Sequence, residues 1–418
     1  MKLVLKNCKE ILTMSDAHQK DGRFLEPEDK NIIKNSSVLC VDGLIKEIGS
    51  WEQLKNSTDK DTIVLDCSDL CISPELVDSH THLIFGGNRA FEYRMRLDGS
   101  TYEEIAKNGG GILHTMQQTN SSSKKDLLTS AIERIKKIHS LGVGTIEIKS
   151  GYGLNIEKEI ELSEIINELK EAFRGKVQIF NTFMAAHAVP APFKNSSDYL
   201  EEVVLPTLEK LGPKNILDAV DIFLEVGYFT INDVKKLKKS ADKFSLPIKV
   251  HADEFICLDG ASLSCELGAL SADHLLAINE NGVKSLSKSN TVATLLPGTG
   301  YFLGKPQCDA RKLLDAGAKV NIASDFNPGS CHQFDLKKIA CTAAPNYNLN
   351  STELWASITL NAAAALGKNS QGYLAKNSKA RFSFWKSNSL DEVIYNWDEQ
   401  LAFWPEEYLS YLKSSLKV

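Results

Sequence analysis

Two histidines stand one residue apart in "LVDSHTHLIFGGNR", Leu76 to Arg89, and further histidines and carboxylates follow other apolar runs. "TFMAAHAVP" holds His187, and "KVHADEF" holds His251, Asp253 and Glu254. "SADHL" holds Asp273 and His274, and "NIASDFNPGS" holds Asp325. In a strand, residues i and i+2 share a face, so Asp78, His80 and His82 are expected to project together. Neutral imidazoles on one face grip a divalent metal, whereas two imidazoliums there repel. Any one of these histidines reads equally well as a core or surface residue. As a set they do not: five of the nine histidines fall at predicted strand ends. Three imidazoles and one carboxylate make a site for a borderline divalent ion, with a position left open for water. Such an ion lowers the pKa of bound water from about 15.7 towards 7, which is the equipment of a hydrolase.

These groups work only if several strands end on one face. Strand-like runs recur near 77–83, 144–150, 177–186, 219–227, 247–253, 270–275, 291–296 and 319–325. Between them lie helical segments such as "KKDLLTSAIERIKKIHSLG" and "NIEKEIELSEIINELKEAF", where Ile156, Ile160, Leu162, Ile165, Ile166 and Leu169 recur at helical spacing. The alternation predicts an α/β fold, a (β/α)₈ TIM-type barrel over residues 76–369, with a doubly wound open sheet as the alternative. A barrel places its chemistry at the strand ends, where these residues fall. The first 75 residues instead read as β, with Asp42-Gly43 marking a tight hairpin. The β texture returns in "ARFSFWKSNSLDEVIYNW". Residues 1–75 and 370–418 are therefore expected to form one small discontinuous β domain.

Composition narrows the partners. A net charge of −6 gives no reason to expect nucleic acid or an anionic membrane. No apolar run reaches the roughly 18 residues of a membrane span. The start, "MKLVLKNCKEILTM", lacks the apolar core of a secretory signal, so a cytoplasmic location is expected. Nine cysteines without framework spacing read as free thiols.

Seven stretches carry a resemblance: "DSHTHLIFGGNRAFEYRMRLDGSTYEEIAKNGGGI", "EIKSGYGL", "TFMAAHAVP", "VHADEF", "SADHL", "LLPGTGYFLG" and "ASDFNPGS". Together they resemble the metal-dependent amidohydrolase superfamily and, within it, the imidazolonepropionases. The resemblance implies hydrolysis of 4-imidazolone-5-propanoate to N-formimino-L-glutamate in histidine degradation. It implies one divalent ion per chain, zinc or iron, on His80, His82, His251 and Asp325. It implies substrate contacts at Arg89, Tyr152, His187, Glu254, Asn327, Gly329 and Ser330, and a homodimer. A deaminase acting on another ring and a non-catalytic metal-binding barrel are the rival readings.

Within that frame His274 is expected beside the oxyanion or the attacking water, and His187 as a donor to the substrate. Asp325 is expected to hold the metal and accept the water's proton; the competing role is a helix N-cap for "NPGSCHQFDLKKIA". Glu254 could shuttle a proton to the leaving nitrogen, or be a solvated loop carboxylate. Tyr152, between two glycines, could stack on the substrate or simply pack its loop. Arg89 could clasp the propanoate, or pair with Glu92 or Asp98. Lys149 could be a carboxylated bridge between two metals, but Glu147 on the same face offers it an ion pair, so one metal is expected.

Overall fold

The computed structural model describes residues 1–101, 104–105, 108–398 and 401–415. Residues 102, 103, 106 and 107 of the long stretch that carries the resemblance, and residues 399, 400 and 416–418 of the expected terminal domain, lie outside the described residues. Six strands form a mixed sheet: β1 (Lys2–Leu12), β2 (Ile32–Val41), β3 (Leu44–Gly49), β4 (Ile63–Asp66), β5 (Cys71–Pro74) and β14 (Phe382–Trp385), in the order β14-β5-β1-β2-β3 with β4 also on β1. Asp42 and Gly43, both at positive φ, make the predicted hairpin between β2 and β3. Strand β14 pairs antiparallel with β5, so both ends of the chain meet in this sheet. Its core holds Leu3, Leu5, Val38, Phe382, Phe384 and Tyr408, and Cys8, Cys40 and Cys67 are buried there as thiols.

The other eight strands run parallel: β6 (Leu76–Asp78), β7 (Val143–Lys149), β8 (Gln178–Ala186), β9 (Ala219–Leu224), β10 (Ile248–Ala252), β11 (Ser271–His274), β12 (Val292–Leu295) and β13 (Val320–Ile322). They pair in chain order, and a bridge between Thr81 and Phe326 joins the ends of β6 and β13. This is the predicted barrel. Six helices matter below: α1 (Ala90–Leu97), α2 (Lys124–Ser140), α3 (Ile156–Ala172), α4 (Leu336–Ala343), α5 (Leu390–Tyr395) and α6 (Glu406–Ser415). Helix α2 starts where Ser123 accepts the Asp126 amide, and buries Leu127, Ala131, Ile135 and Ile138, one apolar stripe. Helix α3 starts at the Asn155 cap and buries Leu162, Ile165, Ile166 and Leu169. No described helix is long and apolar enough to cross a membrane.

Two local expectations fail for physical reasons. The first barrel strand stops at Asp78 rather than running to residue 83. Beyond it the backbone is held irregularly, with the Lys149 amide donating to the Thr81 carbonyl and the His82 amide to the Phe326 carbonyl. "SLDEVIY" is helix α5, not strand. Ser389 caps it by accepting the Glu392 amide, acids occupy its first turn, and Leu390 and Val393 are buried at helical spacing.

Candidate active site

The strand ends converge. His80 Nε2 and His82 Nε2 lie 3.6 and 3.8 Å from Asp325 Oδ1, and His251 Nε2 lies 3.3 Å from His82 Nε2. One potential ligand atom from each of His80, His82 and Asp325 falls within 4.8 Å of the others, as for His80, His251 and His274. His80 Nε2 is buried without a protein hydrogen-bond partner. Burial holds the three imidazoles His80, His82 and His251 well below the usual histidine range, so each keeps a lone pair. Two imidazole nitrogens and a carboxylate within one ligand-sized group, one of them an unsatisfied buried atom, with His251 beside them, fit a borderline divalent ion.

What lies behind His80 and His251 fixes their tautomers. His80 Nδ1 meets Asp273 Oδ2 at 2.6 Å, and His251 Nδ1 meets Asp221 Oδ1 at 3.2 Å. A carboxylate accepts, so Nδ1 carries the proton and Nε2 presents its lone pair. Asp78 does not share in this: its carboxylate takes the Ser324 amide and hydroxyl at 3.0 and 2.6 Å. Beneath lies a buried ionic cluster. Lys149 Nζ is 2.5 Å from Asp221 and 2.9 Å from Glu147, and Lys249 Nζ is 2.9 Å from Glu147. Burial opposes the Lys149 charge, but Asp221, Glu147 and Asp273 outweigh it and raise its pKa. Lys149 thus has the Glu147 ion pair that the sequence offered it.

Asp325 sits in the left-handed region at φ 49° and accepts from the Thr299 hydroxyl. Burial lifts its carboxyl to about 7, against those bonds. It is not a helix cap: α4 is capped by Asp335, which accepts the Lys338 amide at 3.0 Å. His274, at φ 81°, ends β11 with Nδ1 3.6 Å from Glu254 Oε1. Glu254 is turned inward, not solvated; burial and then the charges of Asp325 and Glu225 raise its pKa well above the carboxylate range.

His187 stacks on His82 at 4.7 Å between centroids, and its Nδ1 is 3.1 Å from the Gly151 carbonyl. A carbonyl accepts, so Nδ1–H donates there. Burial lowers the ring to about 4, so it is neutral and Nε2 is an acceptor. The expected donor role is thereby inverted. Gly151 is required, since at φ 111° a Cβ would stand 2.6 Å from the Met184 carbonyl. Tyr152 is buried beside His82 and His187, in a loop gathered by Glu159, whose carboxylate accepts the Gly151, Gly153 and Leu154 amides at 2.7–3.1 Å. Asn327 folds its own loop: Oδ1 accepts the Gly329 and Ser330 amides at 2.8 and 2.7 Å. Arg89 pairs with Glu92, as one of its two expected roles had it.

A cavity of about 700 Å³ joins these groups, lined by His82, Arg89, Tyr152, His187, His251, Glu254, His274, Asp325, Asn327, Gly329 and Ser330. His80 stands behind that wall. Sequence reasoning missed Arg96 and Lys305, which also line the cavity, and missed Asp221, which holds His251 Nδ1. Signals existed: Arg96 falls two helical turns after Arg89, and Asp221 is an acid inside the apolar "AVDIFL".

Residues 71–404 match the amidohydrolase family. The imidazolonepropionase of Bacillus cytotoxicus is 36% identical over 399 residues, covering 94% of this chain and 93% of its own. That of Clostridium tetani is 35% identical over 397 residues, covering 94% of each chain. The fold resembles an adenosine deaminase from Xanthomonas campestris solved with bound zinc, at TM-score 0.69 and 12% identity, covering 97% of this chain and 90% of that one. With the family match spanning barrel and strand-end cluster alike, the chain belongs to the amidohydrolase family.

Proposed function

We propose that the chain is a cytoplasmic hydrolase that opens the ring of 4-imidazolone-5-propanoate at its C(=O)–N amide bond. One water is consumed and N-formimino-L-glutamate is formed, a step of histidine degradation. The observation that carries this reading is a single cavity lined both by a histidine–aspartate cluster and by the cations Arg89, Arg96 and Lys305. The cluster suits amide hydrolysis, and the cations suit a carboxylate arm. The names of the relatives agree.

His80, His82, His251 and Asp325 would hold one zinc or iron ion, which when bound polarises the carbonyl and makes water acidic enough to attack near neutrality. Asp325 takes the proton of the attacking water. His274 faces the oxygen on which charge develops. Glu254, whose carboxyl burial and then the charges of Asp325 and Glu225 push up, gives a proton to the leaving ring nitrogen. His187 accepts from a ring N–H, and Tyr152 covers the ring. Arg89 takes the propanoate, while Asn327 shapes the loop that brings Gly329 and Ser330 to the substrate. Residues 76–369 form the catalytic barrel in this reading, residues 1–75 with 370–418 a β domain, and two chains a homodimer. Purified protein should consume imidazolonepropionate, followed by loss of its absorbance, and yield the formimino product. Ammonia release without that product would instead make it a deaminase.

A further inference from the structure

We propose that Glu92 is a positioning residue: it holds the Arg89 guanidinium by its side, leaving the end of the guanidinium to the substrate's propanoate. The inference rests on the carboxylate-reading role given to Arg89 above. Glu92 lies in the first turn of α1 and is 1% exposed. Its oxygens take the side fork of Arg89, with Nε–H donating to Oε1 at 2.7 Å and Nη2–H to Oε2 at 2.6 Å. A guanidinium presents donors on a side fork and on an end fork. With the side committed, the Nη1 hydrogens and the second Nη2 hydrogen make up the end. That end lies against Gly329, where a Cβ would stand 1.8 Å from Arg89 Nη1, and both residues line the cavity.

Glu92 also gathers the surrounding chain. Oε1 accepts the Gly111 amide at 2.9 Å. Arg96 Nη2 lies 3.9 Å from Oε2, and Arg96 Nη1 donates to the Gly329 carbonyl at 3.2 Å. One buried carboxylate thus ties α1 to the chain at Gly111 and, through two arginines, to the loop after β13. Two guanidiniums against one carboxylate leave net positive charge for an anionic arm. By charge alone, Glu92 would weaken the binding of an anion at Arg89. A purely electrostatic role and a positioning role therefore give opposite signs when the charge is removed.

The test compares Glu92→Gln, Arg89→Ala and the double variant on imidazolonepropionate and on an imidazolone lacking the propanoate arm. Glu92→Gln keeps the shape but turns an amide NH₂ against the guanidinium, releasing it. On the full substrate KM should rise about ten- to a hundredfold with kcat nearly unchanged, the signature of lost substrate binding. The preference for the full substrate over the bare ring should shrink to the same extent. The double variant should lose no more than Arg89→Ala alone, because Glu92 acts through Arg89. An unchanged or lowered KM in Glu92→Gln, additive losses, or an equal loss on the bare ring would overturn the positioning role while Arg89 still discriminates. If Arg89→Ala prefers the full substrate as strongly as the parent protein does, the reading of Arg89 falls, and this inference with it.

Discussion

Asp325 and His80 share one buried cluster, and each is tuned by a group outside it. Burial brings the Asp325 carboxyl to about 7, and the Thr299 hydroxyl holds its other oxygen, so the group is oriented as well as basic near neutrality. Asp325→Asn preserves size and abolishes proton acceptance. Turnover should fall by a factor on the order of a hundred or more, with the fold intact by circular dichroism. Near-full activity with metal still bound would remove Asp325 from the proton path. Behind His80, Asp273 sets the tautomer that leaves Nε2 bare. In Asp273→Asn the side chain can offer a donor as readily as an acceptor, and two nearby lysines lose a counter-charge. Metal affinity should drop about ten- to a hundredfold, read by competition with a chromophoric chelator. Unchanged affinity would mean that the His80 tautomer is set without Asp273.

At the scale of elements, the substrate-facing residues ride on loops that buried carboxylates and amides hold in place. Glu159 gathers three amides of the Tyr152 loop, and Asn327 gathers two of the loop after β13. The second loop has almost no room at its tip. A Cβ on Gly329 would meet Arg89 Nη1, the far end of a flexible side chain rather than backbone. Gly329→Ala should therefore fold with a melting temperature within a few degrees of the parent, because the guanidinium can swing away. It should raise KM by about tenfold or more, because swinging away takes Arg89 off the propanoate it is proposed to bind. A large loss of stability with unaltered KM would show that the loop gives way instead of Arg89.

For the whole molecule, the contact between barrel and terminal chain contains a proton-sensitive residue. His139, near the end of α2, donates from Nδ1 to the Val143 carbonyl at 3.0 Å and stacks on Trp404 at 4.1 Å. Trp404 Nε1 donates back to the His139 carbonyl, and the Ala402 amide donates to Ser140. Burial lowers the His139 imidazole from 6.5 to about 4. Between those values the unfolded chain binds a proton that the folded chain does not. The stability that His139 contributes is therefore full above about pH 6.5 and is lost as pH falls towards 4. His139→Gln keeps an N–H donor but cannot titrate. Near pH 5 its unfolding free energy should change with pH by up to about 1.4 kcal/mol per unit less than that of the parent. Denaturant titrations at pH 7, 6 and 5 measure it, and identical slopes would mean that His139 takes up its proton without unfolding.

Periodicity and residue type were enough for the barrel, because short buried runs alternate with outer helices striped on one face. The same logic placed His80, His82, His187, His251, His274 and Asp325 together, since parallel strands in chain order put their ends on one side. The capping rule also had the signal for α5 in Ser389 and Glu392, but the β-branched texture of the tail outweighed it. Tertiary structure alone decided which partner each polar group takes. Asp78 turns to Ser324, Asp325 leaves the cap of α4 to Asp335, and His187 becomes an acceptor because the Gly151 carbonyl occupies Nδ1. Asp221 and Asp273, far from the imidazoles in sequence, set their tautomers. A hydrogen bond depends on distances of about 3 Å between atoms that the chain brings together from residues far apart in sequence, and no local pattern encodes that.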